Sequence, residues 1–410
     1  MDFFFWELVK CCGSWLQIGY IKGEIMRFFH LADLHIGKQL HQYSMKKEQE
    51  DILNKIVRKA QEEKPDAIVI AGDIYDKSVP SAEAVHLFDK FLTDITELTP
   101  EIAVLLISGN HDSPERLNYA SEILSKHQVY ISGMPPQTEE EHLKKIVLKD
   151  EYGAVNFYLM PFIKPFYVRN LWQDDGGVTY EEAVRRILER EEIDEKERNV
   201  LVAHQFFVAS GEKPETSESE MAVVGGIDEV DIRVLLPFTY AALGHIHRPQ
   251  KIGKPYYRYS GTPLKYSISE EKHYKSITCV ELKEAGSEPV ITEIPLEPLR
   301  DVRVLRGSLE EVLAQATTEN KDDFLSITIT DEMEPYQFNE RLKEVYSHIL
   351  EIRVDNTRTR TILTEAEEDF KVKTPLEICM QFFVEMQGRE MTEEEEAIVK
   401  EVLNEGGLES

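Results

Sequence analysis

Five short stretches of the 410-residue chain set carboxylates, imidazoles and one carboxamide close together. They are LADLHIGK (Asp33, His35), AGDIYDKS (Asp73), SGNHDSPERL (Asn110, His111, Asp112), LVAHQ (His204) and LGHIHRP (His245, His247). The DxH spacing puts a carboxylate and an imidazole on one short loop. Asp73 can use both oxygens to bridge two cations. Asn110 offers a carbonyl oxygen that ligates without adding charge, and three further imidazoles complete two mixed nitrogen and oxygen shells. Such shells suit Mn, Fe or Zn better than Ca, and the lack of sulfur argues against copper(I) or iron–sulfur chemistry. Two such ions, roughly 3.5–4 Å apart, would clamp the attacking and leaving oxygens of a phosphate and make hydroxide available near neutral pH.

Elements with the right period precede these motifs. MRFFHLA reads as a strand, DAIVIAGD and IAVLLISG as buried strands. Between them, residues 44–63 and 81–95 carry apolar positions at helical spacing. Strands alternating with helices argue for βαβ units and a largely parallel sheet, whose ligands collect beyond the strand carboxyl ends. From 129 to 282 strands dominate (KKIVLKD, VNFYLMPF, NVLVAHQ, TYAALGH, SITCVEL), broken by the helical TYEEAVRRILEREE. Residues 26–282 therefore read as one layered α/β domain. Prolines mark a boundary, and 283–356 reads as a small α+β domain of strand–helix–strand–helix–strand. Residues 357–373 look like a linker. Residues 374–410 form a helical pair, with Thr374 and Glu377, then Thr392 and Glu395, spaced as N-terminal capping boxes.

A net charge of -29, from 47 basic and 76 acidic residues, argues against bulk attraction to nucleic acid or an anionic membrane. It leaves room for a local basic groove or for cations that neutralise phosphate. Four cysteines without CxxC spacing make a disulfide framework or thiolate zinc site a poor reading. Residues 1–25 are apolar but interrupted by Asp2, Glu7 and Lys10. They lack the organisation of a secretion signal and are too broken for a membrane span. A strand-like run begins at Met26, and Lys22-Gly23-Glu24 can be encoded by a purine-rich ribosome-binding sequence. Met26 is thus the expected native start and 1–25 a non-native extension, which the gene's own codons would test.

The ordered set DxH, GDxxD, GNHD, a lone later His and GHxH resembles the calcineurin-like metallophosphoesterases. HLADLHIGK, AGDIYD, GNHDSPERL, GHIHRPQ and YSGTPLKYSISEEKHYKS are more narrowly similar to the bacterial SbcD family of nuclease subunits. The likeness implies a four-layer αββα sandwich with a capping domain. It implies Asp33, His35, Asp73 and His247 around one metal, and Asp73, Asn110, His204 and His245 around a second, with Mn2+ favoured. His111 would then donate a proton to the leaving sugar oxygen, with Asp112 orienting its ring.

The same resemblance implies a 3'-5' exonuclease on double-stranded DNA and an endonuclease on single strands or hairpins. It implies roles in DNA repair, recombination and replication, in the bacterial cytoplasm at the nucleoid. An SbcC-type ATPase would dock on residues 374–410, with a homodimer inside a heterotetramer. Leu376, Ile378, Met380, Phe382, Phe383 and Met386 supply the apolar face for that docking. RPQKIGKPYYRYSGTPLKYS interleaves cations with tyrosines, a pattern able to hold phosphate and stack on bases. Arg258 and Lys265 there, with Lys38, His41, Arg116 and Asn118, are the candidate DNA contacts. Two rivals stand beside this reading: a phosphatase or nucleotidase on small phosphoesters, with the same core motifs, and a non-catalytic scaffold.

Overall fold

The structure, a computed structural model, describes residues 7–11, 14–20, 24–168, 171, 178–209, 213–220, 228–333, 335–357, 375–387, 389–392 and 395–400. Two sheets form its centre. The six-stranded sheet runs in the order Val290–Pro295, Ser276–Leu282, Met26–Leu31, Ala67–Ala71, Ala103–Ile107, Val129–Ser132. Its last four strands are parallel, as the alternation with helices requires. The eight-stranded sheet runs Glu7–Cys11, Ser14–Tyr20, Lys144–Asp150, Gly153–Met160, Arg198–His204, Tyr240–Gly244, Lys254–Tyr259, Gln250–Ile252.

The period of two along each strand builds the layers. Phe28, Val69 and Leu105 of the first sheet pack with Phe157, Val200 and Val202 of the second, forming the middle of a sandwich. Phe28 meets Phe157 and Tyr240 edge-on, with ring centroids 5.4 and 5.6 Å apart. Their sequence neighbours point outward. Phe29, Ile68, Ile70, Val104 and Leu106 pack under helices Lys46–Glu63 and Ala82–Thr96. Tyr158, Leu201 and Ala203 pack under helix Tyr180–Arg190. The architecture is thus αββα. Each outer helix is set by local chemistry. Ser81 and Thr179 cap theirs by accepting from Ala84 and Glu182 N–H, and Lys64 ends the first in a left-handed turn.

One boundary differs from the sequence reading. Val290–Pro295, placed there in the capping domain, pairs antiparallel with Ser276–Leu282 from Val290 to Pro295. The first sheet therefore ends at Pro295, beside the prolines that mark the real break. Ahead of Met26, the strand Ser14–Tyr20 runs parallel to Lys144–Asp150 and pairs with Glu7–Cys11.

The three-stranded sheet beyond has the order Val302–Gly307, Phe324–Ile329, His348–Val354, with helices Leu309–Ala314 and Phe338–Val345. Ser308 and Glu311 form a reciprocal capping box there. By compactness the chain divides into residues 1–304 with 317–326 and 346–350, and the remainder. Helix Pro375–Gln387 and helical residues 395–400 follow. Thr392 and Glu395 cap each other as their spacing predicts. Thr374 and residues 358–373 of the expected linker lie outside the described residues. Among the described residues no helix is long and apolar enough to cross a membrane.

Candidate metal centre

Every candidate metal ligand, and His111, stands on, or just past, the carboxyl end of a parallel strand. Asp33 and His35 follow Met26–Leu31, Asp73 follows Ala67–Ala71, and Asn110 and His111 follow Ala103–Ile107. His204 ends its strand in the other sheet, and His245 and His247 follow Tyr240–Gly244. Asp33, His35, Asp73 and His245 all have positive φ, at 53°, 44°, 49° and 96°. Non-glycine residues adopt that conformation at about 1–3 kcal/mol each, and they cluster where function requires it. Glycines let the loops approach. A Cβ on Gly72 would meet His204 Nδ1 at 2.3 Å, and one on Gly109 would meet Asp73 Oδ1 at 2.1 Å.

The side chains converge. Asp33, His35 and His247 bring ligand atoms within 4.8 Å of one another, and so do Asp33, Asp73 and His204. His35 Nε2 lies 3.2 Å from His247 Nε2 and 3.6 Å from Asp73 Oδ2. His204 Nε2 lies 3.0 Å from Asn110 Oδ1 and 3.4 Å from Asp73 Oδ2. His245 Nδ1 lies 3.1 Å from the same Asn110 oxygen. The His245 backbone N–H donates to both oxygens of Asp33, at 3.0 and 3.1 Å, which aims that carboxylate.

These atoms call for positive charge between them. His204 Nδ1 donates to the Ala71 carbonyl at 2.7 Å, so its Nε2 alone faces two oxygens. A nitrogen so surrounded needs a proton or a cation in the gap. Burial works against the His204 imidazolium, but the carboxylates of Asp73 and Asp33 overcome it and raise the ring to about 9. Burial pushes Asp33 up to about 7, and pushes His245 down to about 3. His35 is likewise lowered, chiefly by burial. Imidazoles held neutral at His35 and His245, and a His204 nitrogen that carboxylates press to share a positive charge, fit a pair of divalent cations, and the donor set matches that use.

His111 joins this cluster too: it brings a ring nitrogen within 4.8 Å of ligand atoms of His35 and Asp73, and its ring stands edge-on to His35 with centroids 4.9 Å apart. Its Nδ1 faces the Asp76 main-chain carbonyl at 2.9 Å. Asp112 does not orient it. The Asp112 carboxylate instead accepts from the backbone N–H groups of Ile74 (3.1 Å), Tyr75 (2.9 Å) and Gly109 (2.9 Å). Three aligned N–H donors outcompete one imidazole, so Asp112 ties the GDxxD loop to the GNHD loop. The Asp76 side chain pairs with Lys38 Nζ at 2.9 Å.

Several proposed DNA contacts are already engaged. Besides Lys38, Arg258 pairs with Glu293 and its side chain is only 14% exposed. Lys265 donates to the Glu271 carbonyl at 2.6 Å and pairs with Asp301 at 2.9 Å. These three cations serve internal acidic partners, an outcome of the acidic composition. His41, Arg116 and Asn118 are exposed.

Residue types alone missed the group behind His247. Glu270, fully buried, accepts from Lys275 (2.6 Å) and Ser219 (2.6 Å) and lies 3.3 Å from His247 Nδ1. Burial raises the Glu270 carboxyl, but Lys275 and His247 outweigh it and hold it below the usual range. Glu220 accepts the His247 backbone N–H at 2.6 Å. The stretch YSISEEKHYKS carries the signal, since it places Glu270 and Lys275 five residues apart.

Comparison with known proteins bears on the same residues. The calcineurin-like phosphoesterase profile matches residues 26–249, and one described as the Type 5 capsule protein repressor C-terminal domain matches 298–387. A Staphylococcus epidermidis protein, named as the SbcD component of the nuclease SbcCD, is 32% identical over 331 residues, 79% of this chain and 84% of that one. Its Staphylococcus saprophyticus namesake is 34% identical over the same shares. The chain belongs to the SbcD family. As a member of that family it is a metal-dependent phosphodiester hydrolase on a calcineurin-like fold. A solved dimetal phosphatase from Danio rerio is 11% identical, with a TM-score of 0.38 covering 67% of this chain and 100% of that one.

Proposed function

We propose that this SbcD-family chain is the two-metal DNA nuclease of its complex. Asp33, His35, Asp73 and His247 hold one divalent ion. Asp73, Asn110, His204 and His245 hold the other, and among the Mn, Fe and Zn that such donors suit, the family likeness favours Mn2+. The observation that carries the reading is Asn110 Oδ1, set 3.0 Å from His204 Nε2 and 3.1 Å from His245 Nδ1. A neutral oxygen shared by two imidazoles from a different sheet has a clear use in seating a cation.

Bound divalent ions supply Lewis acidity and activate water at phosphate. The chain's own part is positioning and proton handling. With Nδ1 bonded to the Asp76 carbonyl, His111 is left with Nε2 as its free ring atom. The ring's second proton then sits on Nε2, from which it can pass to a leaving sugar oxygen, a contribution of about 10²–10⁴-fold. The backbone N–H of His111 meanwhile holds Asp73 Oδ1 at 2.9 Å.

The substrate is DNA, cut as a 3'-5' exonuclease on duplex ends and as an endonuclease on single strands and hairpins, in repair, recombination and replication. An SbcC-type ATPase docks on residues 374–410, where Phe382 and Met386 are 62% and 65% exposed. The complex is a heterotetramer around a homodimer, working at the nucleoid in the bacterial cytoplasm. Residues 26–295 form the nuclease domain. Turnover of a hairpin oligonucleotide and of nitrophenyl phosphate, each with Mn2+ and with chelator, tests this. Metal-dependent hairpin cleavage is expected. Efficient hydrolysis of the small ester with an intact hairpin would move the assignment to a small-substrate phosphatase.

A further inference from the structure

A buried ion pair lies behind His247, and the hydrolytic chemistry above makes no use of it. His247 Nδ1 faces Ser219 Oγ at 2.7 Å and Glu270 Oε1 at 3.3 Å. Ser219 donates its hydroxyl to Glu270 Oε1 at 2.6 Å, so its oxygen is free only to accept. In the neutral ring His247 Nδ1 therefore carries the hydrogen, which leaves Nε2, turned toward His35, bare. Lys275 closes the arrangement from the far side. Its ammonium donates to Glu270 Oε2 (2.6 Å), Thr262 Oγ1 (2.6 Å) and the His247 carbonyl (2.9 Å), which uses all three hydrogens. Lys275 and Glu270 are 6% and 0% exposed.

A buried ion pair is weak evidence for stability, because apolar replacements of both partners are often neutral. Its placement against one ring nitrogen has a different consequence. A carboxylate bonded to the remote nitrogen of an imidazole fixes its tautomer and rotation and raises the basicity of the other nitrogen. Resting on the metal-centre reading above, we infer that Glu270 is a positioning residue for His247. Directly and through Ser219, it presents Nε2 to a divalent cation, and Lys275 holds the carboxylate in place.

The test uses the full chain with Glu270→Gln, Lys275→Met and the double variant. Three quantities are measured: Mn2+ affinity by titration calorimetry, urea stability without metal, and the His247 tautomer by 15N NMR in metal-free protein. Glu270→Gln should weaken Mn2+ binding about 10–100-fold and admit the Nε2–H tautomer. It should also lower stability, because the Lys275 charge is left unpaired. The double variant should regain stability but not Mn2+ affinity. A double variant with wild-type affinity and an unmoved tautomer would reduce the pair to a structural one and overturn the inference. Wild-type Mn2+ binding with unaltered binding in Glu270→Gln would overturn it alone. A wild-type chain that takes up no Mn2+ would overturn the metal centre and this inference together.

Discussion

His111 Nδ1 meets the main-chain carbonyl of Asp76 at 2.9 Å, an acceptor that no side-chain substitution can remove. The ring is thus oriented by backbone, which leaves Nε2 as the atom for the proposed proton transfer. His111→Ala should keep Mn2+ binding while cleavage falls about 10²–10⁴-fold. Calorimetry beside a hairpin cleavage assay checks it, and wild-type turnover in the variant would refute the role.

Asp112 has a different duty from its neighbour. Its carboxylate satisfies three backbone donors, and each buried donor left unpaired costs about 1–3 kcal/mol. Asp112→Ala should therefore lower stability well beyond His111→Ala, and denaturant midpoints measured without metal report the difference. Equal midpoints would restore a purely catalytic Asp112.

DNA binding should distinguish free cations from engaged ones. Arg116 is exposed, whereas Arg258 is held by Glu293. Arg116→Ala is expected to reduce the slope of log affinity against log salt by about 1, and Arg258→Ala to leave it unchanged. Fluorescence anisotropy on a labelled duplex, read over a salt series, tests both.

Asp66 makes stability depend on pH. Burial pushes its carboxyl up to about 6 from an ordinary 3.8, although it accepts the Arg27 N–H at 2.8 Å. Between those values the folded state holds a proton that the unfolded chain has lost. Its contribution is full below 3.8 and is lost as pH rises through about 6. At 1.36 kcal/mol per unit, discounted for partial exposure, it amounts to about 1–2 kcal/mol. Asp66→Asn, which still offers an oxygen to Arg27, should be stabilised relative to wild type at pH 7.5 but not at pH 3.5. Urea titrations at both pH values give the comparison.

Metal should stabilise the fold as well as the reaction. Added Mn2+ at a hundred times its Kd should contribute about 2.7 kcal/mol over chelated protein. The gain should shrink from pH 8 to pH 6, because imidazole ligands must be unprotonated to bind. Melting temperatures with and without Mn2+ follow it, and a gain independent of pH would speak against histidine ligation.

The strands, the outer helices and the set of carboxylates and imidazoles that converge were legible in the chain, because each is written in local spacing. Alternating apolar residues make a buried strand, and the polar residues that end it lie at its mouth. The Thr392 and Glu395 cap was legible for the same reason. What surrounds those residues was decided only by tertiary structure. The acceptor for His111 is a peptide carbonyl, which no residue letter announces. Two of the three partners of Asp112, the Ile74 and Tyr75 N–H groups, lie on a loop 38 and 37 residues away. Arg258 and Lys265 read as free cations until folding brings Glu293 and Asp301 beside them. Glu270, Lys275 and Ser219 gain meaning only where chain closure sets them behind His247. Hydrogen-bond partners are chosen by distance and competition in space, and neither quantity is carried by position in the chain.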